Sequence, residues 1–161
     1  MQNYSAMGDP DIRYMRIALR QAGRAAENGE VPIGAVIVHA DGRILGQAYN
    51  STETLKDPTA HAEILAITQA ANALGDWRLE DTTIYITKEP CPMCAGAIVS
   101  ARIPTVVWGM TDAQRGGGLS RFRILQDEAL NHRATVRTGI LEEECKTLVQ
   151  DFFKIRRAKS P

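Results

Sequence analysis

The sequence predicts an α/β fold, a three-layer α/β/α sandwich around a mixed five-stranded sheet, and three features carry that prediction. Apolar spacing switches repeatedly between the 3.6-residue period of a helix and short β-branched runs. An Asp-Gly pair between two apolar runs marks an antiparallel hairpin, while the later strands alternate with helices, which calls for a layered sheet with helices on both faces. At 161 residues, with 44% apolar and 24% charged side chains, the chain can bury roughly 70% of its unfolded surface without staples.

Asp9-Pro10 reads as an N-cap and first helical residue, and Met15, Ala18, Leu19, Ala22 and Ala26 keep helical spacing until Gly29. IGAVIV (33–38) and RILGQAYN (43–50) are strands joined through Asp41-Gly42, whose positive backbone angles a tight hairpin requires. From His61 a second stripe, Ile64, Ile67, Ala71 and Leu74, ends at Gly75; TTIYIT (82–87) is a strand. Cys91 to Ser100 forms a small apolar helix and TVVWG (105–109) a fourth strand. Between 110 and 134 the pattern thins around Gly116 to Gly118, with only a brief helix expected over Phe122 to Asp127. A last strand over 134–138 precedes an amphipathic helix from Glu142, striped by Leu141, Cys145, Leu148, Val149 and Phe152 and ending in FFKIRRAK. Residues 1–8 are expected to be a flexible segment and 9–161 a single domain.

Composition narrows the function classes. The start MQNYSAMGDP lacks a basic region before an apolar core, and no apolar run reaches the 18 or so residues of a membrane span, so a cytoplasmic protein is expected. Zero net charge argues against a large nonspecific phosphate-binding surface. Of three cysteines, Cys145 lies on an apolar stripe and reads as core, and His39 beside the hairpin reads as solvated. Cys91 and Cys94 have CxxC spacing, which in a reduced compartment means metal or redox chemistry.

Two stretches carry the chemistry, PTAHAEILAI (58–67) and EPCPMCAGAI (89–98). Cys91 and Cys94, three apart at a helix start, face the same way, and free amides there favour thiolate, the form that binds zinc. Pro92 at the first turn loses no needed hydrogen bond. Helix starts that follow successive parallel strands gather at one sheet edge, so His61 can join the two sulfurs. Three such ligands leave tetrahedral zinc an open position for water, as catalytic sites do. Glu63 is then a proton shuttle beside that water, provided His61 sits in an irregular first turn, because positions two apart on a regular helix diverge. Such a site can expel ammonia from an amidine-like ring carbon or hydrolyse an amide.

HxE followed by PCxxC is also the signature of zinc nucleobase deaminases. From about residue 11 to 157 the chain resembles the bacterial tRNA-specific adenosine deaminases of the cytidine deaminase-like fold: EVPIGAVIV, AYN, DPTAHAEILAI, EPCPMCAGAI, ARIPTVVWG, LNHR and FFKIRR occur in the family's order. The resemblance implies a homodimer with one zinc ion per subunit that converts the wobble adenosine of a tRNA anticodon stem-loop to inosine. In it Glu63 protonates N1 and then carries a proton to the departing amino group, Asn50 holds the base by its amide, and Ala62 belongs to the same substrate pocket. Asp112 either caps a turn or touches the nucleotide beside the target. Asn131 and His132 are RNA-binding candidates, the histidine alternatively satisfied by backbone. Phe153, Arg156 and Arg157 in the tail contact RNA or simply complement the helix dipole.

The stretch GGGLSRFRI (116–124) departs from the alanine- and glycine-rich loop and short apolar helix of that family. Arg115, Arg121 and Arg123 there would meet phosphates or reshape the pocket for a different purine. Guanine deaminases, which share PTAHAE and EPCPMC, are the rival enzyme reading, with cytosine deamination behind it. A zinc-stabilised binding module is the non-enzyme one, and it has no use for Glu63.

Overall fold

Asp9 accepts a hydrogen bond from the Asp11 amide at 2.9 Å and Pro10 takes the first helical position, so helix α1 (Pro10–Glu27) begins where the sequence places it. The computed structural model describes residues 8–161, and all of the expected flexible segment except Gly8 lies outside the described residues. Strands β1 (Gly34–His39) and β2 (Ile44–Tyr49) follow, then a single helical turn, α2 (Thr52–Leu55), and helix α3 (Ala62–Leu74). Strand β3 (Thr82–Lys88), helix α4 (Pro92–Ser100), strand β4 (Thr105–Met110), a 3-10 turn (Ile124–Gln126), strand β5 (Thr135–Thr138) and helix α5 (Glu142–Ala158) complete the order.

The five strands form one mixed sheet in the order β2-β1-β3-β4-β5, with β1 antiparallel to both neighbours and β3, β4 and β5 parallel. Alternation along the strands divides the interior in two. Ala35, Ile37, Ile84, Ile86, Val106 and Trp108 pack with Ala62, Ala66 and Ala70 of α3 and Ala95 and Ile98 of α4. Val36, Val38, Tyr85 and Val107 face the other way, toward Met15 and Ala18 of α1 and Cys145 of α5. Both helical layers sit close because glycine lies beneath them. A Cβ on Gly34 would strike the Ala18 carbonyl of α1, and one on Gly46 would come 2.5 Å from the Ala66 carbonyl of α3.

Three local expectations need correction. In the hairpin only Gly42 has a positive φ, +91°, and Asp41 does not. The Gly42 amide bonds the His39 carbonyl and the His39 amide bonds that of Arg43, so the connection is a three-residue loop with a glycine bulge rather than a two-residue turn. His39 is half-buried rather than solvated, its Nδ1 accepting the Asp41 amide at 3.2 Å. On α5 only Cys145 is fully buried, whereas Leu148, Val149 and Phe152 are half-exposed. The reason is that α5 leaves the sheet and continues along α1, with Glu143 and Thr147 beside Leu19 and Gly23, and Leu148 to Lys159 beside Ala26 and Gly29. The start of α1 is tied to β5 by Arg137, which donates to Asp11 at 2.7 and 2.9 Å, and to β3 by the Tyr85 hydroxyl at 3.0 Å.

Candidate active site

The end of β2, the start of β1 and the end of β3 meet at one edge of the sheet, where Gly34 pairs with Tyr49 and its amide bonds the Thr87 hydroxyl at 3.2 Å. Asn50 and Glu89, the residues just beyond this edge, are both buried. Asn50 accepts the Ala62 amide at 2.9 Å through Oδ1 and so supplies from a distance the cap that His61 lacks. His61 itself is extended, with φ −75° and ψ 153°, which is the irregular first turn that lets His61 and Glu63 serve one site. Cys91 holds the corresponding position on α4, with φ −68° and ψ 171°, and Pro92 opens that helix without losing a bond.

These two helix starts bring the ligand candidates together. His61 Nδ1 lies 3.6 Å from the Cys91 sulfur and 3.5 Å from that of Cys94, and one donor atom from each residue falls within 4.8 Å of the others. One imidazole and two thiols, with no carboxylate among them, fit a borderline-soft ion such as zinc and leave a fourth position to be filled from outside the chain. Hydrogen bonds from Cys94 and His61 hold the Cys91 thiol down at about 4, while Cys94 is pushed above its usual range by its bond to Cys91 and by burial. The His61 ring is raised by its contact with Cys91. Glu63 is 3% exposed, and burial raises its carboxyl above the ordinary range.

A family model for MafB19-like deaminases matches residues 10–157. The tRNA-specific adenosine deaminase of Bacillus subtilis (strain 168) is 48% identical over 149 residues, covering 92% of each chain. The chain belongs to the tRNA-specific adenosine deaminase family. A solved structure from a study of A-to-I editing by tRNA:A34 deaminases superposes with a TM-score of 0.81 at 42% identity, over 84% of this chain and 98% of that one. The guanine deaminase of Bacillus subtilis is more distant, with a TM-score of 0.58 at 38% identity over 68% of this chain and 66% of its own.

The other residues expected in a deaminase of this family are placed less uniformly. Asn50 Oδ1 is spent on the α3 cap, which leaves its amide nitrogen to meet a ligand. Ala62 is fully buried with its amide engaged, so as placed it holds the turn and offers no surface to substrate. Asp112 pairs with Lys88 at 3.0 Å and caps the Gln114 and Arg115 amides, and Lys88 and hydrogen bonding keep its carboxyl low against the raising effect of burial. His132 donates from Nε2 to the Ile103 carbonyl at 2.7 Å, the backbone-satisfied alternative, and Asn131 is exposed. Phe153, Arg156 and Arg157 are exposed on the far half of α5, as are Arg115, Arg121 and Arg123 in their loop.

Sequence reasoning missed two buried acids. Glu30, in the turn between α1 and β1, takes the Thr54 amide at 2.7 Å and hydroxyl at 2.9 Å, and the Glu53 amide and Thr52 hydroxyl at 3.3 Å, thereby folding the segment that leads to His61. Glu89 does the same for the loop after β4. Each stands one or two residues before a proline, in EVP and EPC, and that placement was the available signal.

Proposed function

We propose that this chain converts the wobble adenosine of a tRNA anticodon stem-loop to inosine by hydrolytic deamination, with one zinc ion per subunit held by His61, Cys91 and Cys94. The observation that carries the reading is a buried Glu63 beside a His-Cys-Cys cluster open at its fourth position. Zinc held there would supply a Lewis acid, which lowers the pKa of a bound water to about 7. Glu63 takes a proton from that water and delivers it to N1 of adenine as the remaining hydroxyl bonds to C6, then carries that hydroxyl's proton to the exocyclic nitrogen as the C6–N bond breaks and ammonia leaves. Asn50 orients the base through the amide nitrogen left free by its cap. Water and adenosine thus become inosine and ammonia.

The surface supports an RNA substrate. Arg13, Arg16, Arg20 and Arg24 are exposed along one face of α1, and Lys154, Arg156, Arg157 and Lys159 are exposed on the half of α5 packed beside it. Because Glu30 connects the end of α1 to the segment before His61, the basic ends of both helices are carried to the edge that holds the site. A shallow groove of about 430 Å³ between α3 and α4, with Ile64, Ile67, Ala71, Trp77 and Ala97 in its walls, is the face assigned to a second copy of the chain. Residues 9–161 act as one domain in this reading, in the cytoplasm, and no helix among the described residues is long and apolar enough to cross a membrane.

The test is ammonia release from a panel of anticodon stem-loop RNA, guanine, cytosine and adenosine. The stem-loop is expected to react and its product to contain inosine. Reaction with guanine alone would replace the tRNA assignment with the free-base one and leave the site chemistry standing.

A further inference from the structure

Glu89 precedes Pro90 and Cys91, is 3% exposed, and is not among the residues whose ligand atoms cluster. Its carboxylate collects four donors from one loop. Oε1 accepts the Asp112 amide at 3.1 Å and the Ser120 hydroxyl, and Oε2 accepts the amides of Leu119 and Ser120, both at 2.9 Å. The same loop lies on the backbone that carries the first cysteine. The Gly117 amide donates to the Pro90 carbonyl at 2.7 Å. A Cβ on Gly117 would stand 2.5 Å from the Pro92 nitrogen and 2.6 Å from the Cys91 carbonyl carbon, one on Gly116 would strike the Glu89 carboxyl, and one on Gly118 would come 2.7 Å from the Trp108 ring. Three bare glycines are what such contact requires, which accounts for the GGG run physically.

We infer that Glu89 is a positioning residue of the metal centre: it clamps residues 112–120 onto Pro90–Pro92 and so holds the extended Cys91 against His61 and Cys94. The carboxylate is needed because all four donors point at it. Glutamine would turn an NH₂ group toward two of them. Loosening the clamp frees the Cys91 backbone to swing its sulfur out of the cluster, and partners of this kind govern metal affinity although they never touch the metal.

The inference rests on the zinc reading above, and the experiment separates the two. Zinc affinity of the reduced protein is measured by competition with a chromophoric chelator, and cobalt is substituted to read the thiolate-to-metal absorption. Glu89→Gln is expected to lower zinc affinity about 10–100-fold and to weaken the cobalt–thiolate band. Glu89→Asp, which keeps the charge but is one methylene shorter, should recover part of both. Gly117→Ala, which pushes the loop away from the opposite side, should move both in the direction of Glu89→Gln. Asp11→Asn serves as the control, a carboxylate that binds Arg137 and Tyr85 away from the cluster, and should leave zinc affinity and the cobalt–thiolate band intact. If Glu89→Gln does not fold, Ser120→Ala is the milder variant, expected to weaken affinity several-fold. A folded Glu89→Gln, or failing that Ser120→Ala, with wild-type affinity and band overturns the inference, even if its melting temperature falls. A wild-type protein that takes up neither zinc nor cobalt overturns the metal reading itself.

Discussion

The two faces of the sheet are built for different work. On the α3/α4 face the helices contribute mostly small residues, Ala62, Ala66, Ala70 and Ala95, so their backbones lie close to the strands and their N-termini are held to a narrow range of positions. On the α1/α5 face α1 approaches just as closely, with Ala18, Ala22 and Ala25 buried and Gly34 beneath the Ala18 carbonyl, but its outward surface carries Arg13, Arg16, Arg20 and Arg24. The difference lies in what holds the chain where each helix begins: buried acceptors, Asn50 at α3 and Glu89 just before α4, against an ion pair of Asp11 with Arg137 at α1. The ligand candidates therefore belong to the first face, and the exposed arginines proposed to meet RNA lie on the second.

The largest expected effect falls on the chemical face. Glu63→Gln removes the proton carrier while leaving all three ligand donors, so turnover should fall about 10²–10⁴-fold with zinc still bound, measured by inosine formation and metal content. Undiminished turnover would end the shuttle role. On the opposite face Met15→Ala opens a cavity in a fully buried position and should lower stability by about 2–5 kcal/mol in urea unfolding. The metal content of the folded fraction should not change, and a parallel loss of zinc would break the division of labour between the faces.

Smaller is the ion pair that ties α1 to β5. Arg137→Met should cost about 1–3 kcal/mol at neutral pH, because hydrogen bonds to a charged carboxylate are lost. Asp11 is held low chiefly by the Arg137 hydrogen bond, so its contribution is fully present above 3.8 and disappears as pH falls through the depressed folded value. The stability gap between wild type and Arg137→Met should therefore close on acidification, and a constant gap would mean that Asp11 is not the partner that matters. Smallest is the basic surface. Arg16→Gln with Arg20→Gln should reduce the slope of log affinity for tRNA against log salt by about 0.7–0.9 for each phosphate contact removed. Deamination of a short stem-loop at low salt should change little, and an unaltered slope would remove α1 from the RNA-binding surface.

Much of this division was legible in the residues. The helix start at Asp9-Pro10, the alternation in β1, β3 and β4, and the HAE and PCPMC stretches all act through local geometry, and local geometry is what spacing encodes. The long-range acceptors were not legible. Asn50 caps a helix that begins twelve residues later, and Glu30 and Glu89 bond amides more than twenty residues away, so neither spacing nor propensity points to the partner. Gly116 to Gly118 read as an irregular loop, yet Gly117 lies against Cys91 and Pro92, Gly116 against the Glu89 carboxyl and Gly118 against the Trp108 ring. His132 shows the opposite case, a polar residue in a recognisable motif whose ring is occupied by the Ile103 carbonyl.

By itself the sequence determined which residues could bind a metal, which could carry a proton, and where helices and strands would begin, since each follows from a residue's own chemistry and its immediate neighbours. Tertiary structure alone decided how closely His61, Cys91 and Cys94 cluster, that Glu63 is buried beside them, and that Glu89 spends its charge on a loop rather than among the ligand atoms. The physical reason is that desolvation and hydrogen-bond direction depend on what the folded chain brings within a few ångströms, and separation along the chain carries no record of it.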